Sequence, residues 1–433
     1  MLLISKSNSN LLYKIETYIS YNKIEVLGHG KTILTFFDYK NDGNNLNTFT
    51  RKINNHEYIF VNGELIIKKL IRKTSFLKPI KINKQLINKF LTMDIETRII
   101  NNKKVPYCIC IFDGIKSFSY YLNDYNDHIE MMNIAINSIL IRKYNKYKIY
   151  LHNLSNFDGI FLFKILTSLK NFHINHTKKD GKMIDIELIS LTYNFKINFR
   201  DSLLMLPISL KNLAKSFQID NKGLFPYLFV NESTTKLDYE GLTPELKYFI
   251  NVSEDKYNNY SIEFKNKTWN LKNETIKYCN LDCKILYQII EKFNYYIFDL
   301  FNLNIHNYPT LPSLAFAIYR SKYLKDFKIP LITGQIFNDI RKSYTGGSTD
   351  MYIPHGKNIY AYDVNSLYPY VMKECPVPIG NITYFEGDIS KIDNNPYGFF
   401  EVEITAPNNL NIPILQTKIN TGHGTRTISP LGT

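Results

Sequence analysis

A chain of 433 residues, 44% of them hydrophobic, is long and apolar enough to core two or three domains, which excludes a disordered or fibrous polypeptide. Its formal net charge of +14 is spread in short Lys/Arg clusters and suits a polyanionic partner, phosphate above all. No run approaches the roughly 20 apolar residues of a membrane span, and the apolar stretch of the opening MLLISKSNSNLL is too short for a secretory signal, so no membrane partner is expected.

Asn, Ile, Lys, Tyr and Phe are over-used while Ala and Trp are scarce, a bias that follows A/T-rich codons such as those of organellar or plasmid genomes. Cys108, Cys110, Cys279, Cys283 and Cys375 form no paired CxxC clusters and stand in apolar surroundings. They read as reduced core thiols of a reducing compartment, rather than as a disulfide frame or a zinc site.

In chain order, residues 1–89 hold short β-like runs (33–37, 58–61 and 64–67) between Asn/Asp/Gly turns, and predict a small β-rich region or the start of the next domain. The first cluster with chemistry is 90–97, FLTMDIET. It reads as an apolar strand, and Asp94 and Glu96, two apart, point to one face. Runs 105–112 and 117–122 extend it into an antiparallel meander. In 149–163, IYLHNLSNFDGIFLF, a strand ends near His152 and an apolar helix starts near Asp158, which could serve as its N-cap.

Residues 186–199 alternate like a hairpin. Residues 209–217 have helical spacing through Leu210, Leu213, Ala214 and Phe217, with Lys211 and Lys215 on a polar face, as in an amphipathic surface helix. The polar, turn-rich 231–269 reads as an insertion. Residues 274–290 predict a helix on which Tyr278 and Asp282, four apart, share a face; such pairs are common on ordinary helices.

Beyond it, 309–323 passes from Pro-rich turns into a helix. The paired glycines Gly346 and Gly347 in SYTGGSTDMY suit a turn or a close backbone approach. Residues 360–364 alternate and are rich in β-formers, so they predict a strand that delivers Asp363 to a turn at Asn365 and Ser366, a position suited to a metal ligand. The plainer reading is a turn with Leu367 and Tyr368 packed beneath it. Residues 398–406, GFFEVEITA, read as another alternating strand.

The string DVNSLYP at 363–369 resembles motif A of the family B DNA polymerases, and its spelling is closest to the protein-primed branch of small phages and of linear plasmids in fungal and plant mitochondria. Upstream, FLTMDIET, Asn153 with Phe157 and Asp158, and Tyr278 with Asp282 resemble the family's three exonuclease motifs, in the family's order. Asn156 lies closer to Asp158, which leaves open which asparagine takes the family role. Tyr344, Gly346 and Gly347 resemble its Tyr-x-Gly-Gly motif, placed just before motif A.

This resemblance implies an α/β (α+β) fold: an RNase H-like 3′–5′ exonuclease domain over 90–300 and the beginning of a family B palm over 355–433. Residues 1–89 would precede them, and 301–354 would link them. Asp94, Glu96, Asp158 and Asp282 would then hold divalent ions, Mg²⁺ with Mn²⁺ as an alternative, because two hard ions about 4 Å apart activate water and neutralise a phosphodiester. Tyr278 would orient the water. Asn153 and Phe157 would hold the frayed 3′ nucleotide, and Ser209 and Leu210 the single strand behind it.

In the palm, Asp363 and the Val364 carbonyl would bind metal, Ser366 and Leu367 would meet the incoming deoxynucleoside triphosphate, and Tyr368 would lie under its sugar and reject a 2′-hydroxyl. Tyr344, Gly346 and Gly347 would touch the template strand. The implied partners are the single-stranded 3′ end of DNA, primer-template, deoxynucleoside triphosphates and a terminal priming protein, in a mitochondrion. The family's finger helix, Lys-x-x-x-Asn-Ser-x-Tyr-Gly, and its Asp-Thr-Asp hairpin do not follow 425–433, so a truncated polymerase is expected; a stand-alone 3′–5′ exonuclease and a non-catalytic DNA-binding relic are the alternatives.

Overall fold

A computed structural model of the chain describes residues 2–6, 12–17, 21–27, 34–39, 48–53, 56–61, 64–70, 75–219, 223–344, 355–391, 393–410, 415–422 and 424–429. It forms two compact units, one of residues 79–324 and one combining 1–78 with 325–433. These compact units cut across the four consecutive segments expected from the sequence. Residues 79–89 and 301–324 fall in the first unit, and residues 1–78 share the second with 325–433.

The 79–324 unit is built on a seven-stranded sheet. Its strands are β1 (Phe90–Ile100), β2 (Lys103–Phe112), β3 (Ser117–Tyr121), β4 (Lys148–Leu151), β5 (Phe172–Lys179), β6 (Lys182–Ser190) and β7 (Lys196–Asp201). The spatial order is β3-β2-β1-β4-β7-β6-β5. Strands β1 to β3 form the expected antiparallel meander, while β4 runs parallel to both β1 and β7. This mixed α/β arrangement is that of an RNase H-like sheet.

Strand alternation gives the sheet two different faces. Leu91, Met93 and Ile95 of β1, with Ile109 and Ile111 of β2, pack against the helices α1 (His128–Ile139) and α2 (Asp158–Thr167). The other face carries Phe90, Thr92, Asp94 and Glu96, and is covered by α3 (Leu210–Ser216), α4 (Tyr227–Asn231), and the long α6 (Leu271–Phe301), with α5 (Glu254–Ile262) lying between α4 and α6 in sequence. Helix α6 starts where the Asn270 side chain accepts from the Asn273 N–H at 2.8 Å, and it stops at Asn302, which takes left-handed φ of 54°. Among the described residues no helix is long and apolar enough to cross a membrane.

The second unit contains a six-stranded sheet whose neighbours run Gly398–Phe400, Leu2–Lys6, Ile382–Glu386, Glu64–Leu70, His56–Val61 and Thr48–Ile53. Ile66, Phe385 and Ile389 core it. Strand Gly398–Phe400 is shorter than the alternation of 398–406 predicts. The strand expected over 360–364 is absent: these residues have no regular structure and are exposed. No described strand pairs with them, and alternation without a partner leaves backbone N–H and C=O groups to water. Leu367–Glu374 is a helix entered through Ser366, at φ 53°.

Candidate active site

The acids of the 79–324 unit converge where β1, α2 and α6 meet. Asp94 and Glu96 leave β1 on the side facing α6. Two contacts seat the helix there: Thr92 Oγ1 donates to the Cys283 carbonyl at 2.8 Å, and Cys279 Sγ lies 3.6 Å from the Asp94 carbonyl oxygen. They bring Tyr278 and Asp282, one helical turn apart, onto the carboxylate pair, and both are buried.

Asp158 arrives from the other direction, as the first residue of α2; Phe157, rather than Asp158, occupies the N-cap position. Burial pushes the Asp158 carboxyl well above the usual range, and the negative charge of Asp94 pushes it further, with a smaller effect from Asp201. Acids crowded in this way, offering hard oxygen donors, fit a divalent cation, whose charge would relieve their repulsion. Asp94, Glu96, Asp158 and Asp282 are the residues that could hold it.

The loop between β4 and α2 is clamped by a residue that the sequence did not flag. Asp201, at the end of β7, is buried and accepts from the backbone N–H groups of Asn153 (3.0 Å), Ser155 (2.8 Å) and Leu203 (2.9 Å). This holds Asn153 at φ 82°, and Asn156 Nδ2 donates to Asn153 Oδ1 at 2.7 Å, so the two candidate asparagines are linked. A Cβ on Gly159 would stand 2.7 Å from the Leu154 carbonyl oxygen, so this turn requires glycine. Phe157 lies edge-on to Phe161, with Lys104 Nζ 4.4 Å from its ring centroid. Asp201→Asn turns an amide N–H against at least one of the three donors. Unfolding by denaturant, followed through Trp269, should show a loss of about 1–3 kcal/mol; unchanged stability would contradict the clamp.

A second unflagged residue is Tyr227 of α4. Its hydroxyl donates to the Tyr278 hydroxyl, and the two rings meet edge to face at 5.6 Å. Burial and then the charges of Glu96, Asp282 and Asp94 push the Tyr227 phenol up, so it stays a donor beside the acids. A cleft of about 290 Å³, lined by Gly223, Leu224, Lys256, Lys277, Tyr278 and Leu281, opens at Tyr278.

The other sequence candidates lie elsewhere. Ser209 caps α3 by accepting from the Asn212 N–H at 3.4 Å, and Leu210 is buried against α6, so both have structural duties. Asp363, Val364, Ser366, Leu367 and Tyr368 stand exposed in the other unit, as does Tyr344. Gly346 and Gly347 lie outside the described residues.

Asp94 and Glu96 stand close enough to share a cation, and Asp158 and Asp282 add negative charge beside them, which makes this an acidic site on a mixed sheet. The family model described as DNA polymerase type B, organellar and viral, matches residues 138–433, and the chain belongs to that family. It is 38% identical to a probable DNA polymerase of Neurospora intermedia, over 98% of this chain and 48% of that one. It is 35% identical to a probable DNA polymerase of Ascobolus immersus, over 93% and 34%. The chain thus spans about half, or less, of the length of these curated relatives. The phi29 DNA polymerase bound to primer-template DNA is 16% identical, with a TM-score of 0.38 over 60% of this chain and 40% of that chain, a likeness too distant to carry an argument.

Proposed function

We propose that the 79–324 unit is a 3′–5′ exonuclease acting on single-stranded DNA ends, within a type B polymerase that replicates a mitochondrial plasmid or similar element. The meeting of Asp94, Glu96, Asp158 and Asp282 with the Tyr227–Tyr278 pair carries this reading. Bound Mg²⁺ or Mn²⁺ would supply an activated water and a neutralised phosphate. The Tyr278 hydroxyl, held by Tyr227, orients that water. Phe157, with Lys104 beside its ring, offers a stacking surface for the terminal base, and Asn153 offers it polar groups. The basic excess supplies the general attraction to DNA.

Motif A at Asp363–Pro369 extends the reading to templated synthesis, with primer-template and deoxynucleoside triphosphates as substrates and a terminal protein as primer. The exposure of Tyr362, Tyr368 and Met372 favours a second reading, in which the chain is a non-catalytic DNA-binding relic. Templated incorporation above an Asp363→Ala control would remove that second reading.

The test is single-turnover release of 3′ nucleotides from an end-labelled oligonucleotide, with and without chelator. Release should require the divalent ion, and Tyr278→Phe should slow it roughly 10 to 10²-fold, because the tyrosine only positions the water. Equal rates in chelator would withdraw the proposal.

A further inference from the structure

Two side-by-side stripes of residues face each other across the contact between the sheet and α6. In the β1–β2 register, Asp94 lies opposite Cys110 and Glu96 opposite Cys108. On α6, Tyr278 and Asp282 are each followed by a cysteine, Cys279 and Cys283. The same local geometry that gathers the acids therefore gathers thiols next to them: two apart on a strand and four apart on a helix both mean one face.

The sulfurs are close. Cys108 Sγ and Cys110 Sγ are 3.9 Å apart, and the sulfurs of Cys108, Cys110 and Cys279 all lie within 4.8 Å of one another. Cys283 also meets Cys279, and its thiol donates to the Cys110 carbonyl at 3.3 Å. All four side chains are fully buried and none is in a disulfide. A tetrahedral zinc site with Zn–S of about 2.3 Å separates its sulfurs by roughly 3.8 Å, so Cys108, Cys110 and Cys279 need little adjustment, while Cys283, outside that group of three and turned to the Cys110 carbonyl, has to swing inward to become the fourth ligand.

We propose that Cys108, Cys110, Cys279 and Cys283 form a thiolate site for one soft divalent ion of the zinc class, separate from the hard carboxylate set beside it. Sulfur donors discriminate against Mg²⁺, so the two sets sort ions by donor type although Cys279 borders both, within 4.8 Å of the Asp94 and Glu96 ligand atoms. Each thiol releases its proton to solvent as its sulfur binds the metal. The bound ion ties β2 to α6, and so fixes the helix where Tyr278 and Asp282 reach the acids. This inference rests on the thiols and stands independently of the nuclease reading.

The test is to prepare the full chain metal-free under reducing conditions and titrate it with Co²⁺. Thiolate-to-cobalt charge-transfer absorption together with tetrahedral visible bands, saturating at one ion per chain and displaced by Zn²⁺, is expected. Asp94→Ala and Cys375→Ser should keep these bands, and Cys279→Ser and Cys108→Ser should lose them, with Trp269 fluorescence reporting the fold. The wild-type spectrum decides even where a variant fails to fold: no thiolate band, or one that survives both serine substitutions, overturns the site. Loss of the band in Asp94→Ala, with the fold intact, would also overturn it by assigning the ion to the carboxylates.

Discussion

Asp94→Ala and Asp282→Ala are each expected to slow 3′ nucleotide release by roughly 10³-fold or more, because removing a carboxylate that holds a divalent ion forfeits several kcal/mol of charge stabilisation. Asp94 reaches the site from a sheet strand and Asp282 from α6, so the two substitutions test separate supports of one centre. Circular dichroism and Trp269 fluorescence should confirm that each variant is folded. Should both keep wild-type rates, the activity would belong to another site and the exonuclease assignment would fall.

The second large effect concerns stability and pH. His306 is buried between Phe90, whose ring stacks on it at 4.9 Å, and Tyr150, whose hydroxyl lies 3.0 Å from Nδ1. Burial pulls its pKa from 6.5 down to about 3, and the charges of Arg200 and Lys148 add to the shift. As pH falls below 6.5 the unfolded chain takes up a proton that the native imidazole refuses until about pH 3. Stability is therefore full above 6.5 and declines by up to about 1.4 kcal/mol per pH unit below it. By pH 4 the loss should reach about 3 kcal/mol. His306→Phe keeps the stacking and removes the titration. Urea unfolding at pH 7 and pH 4, read from the single Trp269, should show a smaller pH-dependent loss in the variant by about that amount. An identical loss in both proteins would exclude His306 as the source.

The acids were legible because their positions depend on short-range rules. Alternation placed Asp94 with Glu96, and helical spacing placed Tyr278 with Asp282. Tyr227 and Asp201 were not legible, since the contacts that give them a role join residues 51 and 46 to 48 positions apart. The thiols lay between these cases: Cys108, Cys110, Cys279 and Cys283 are buried and reduced as their apolar surroundings suggested, while Cys375 is exposed, and the β1–β2 register that sets the buried ones beside the acids could not be read locally. The strand predicted at 360–364 failed for the converse reason, because a local pattern does not supply a neighbouring strand. The unit boundary was hidden in the same way, in pairings between the two ends of the chain.

Those pairings carry a consequence for synthesis. Leu2–Lys6 lies parallel to Ile382–Glu386 on one side and to Gly398–Phe400 on the other, so once synthesised this strand waits until Ile382–Glu386 has been made before either neighbour exists. Residues 79–324 can collapse on their own core in the interval, while the apolar LLISK segment keeps both hydrogen-bonding edges open. The slow, long-range closure comes last. Maturation of the 1–78 and 325–433 unit is therefore the stage at which chaperones would bind, and at which a slowed or stalled ribosome would do most harm.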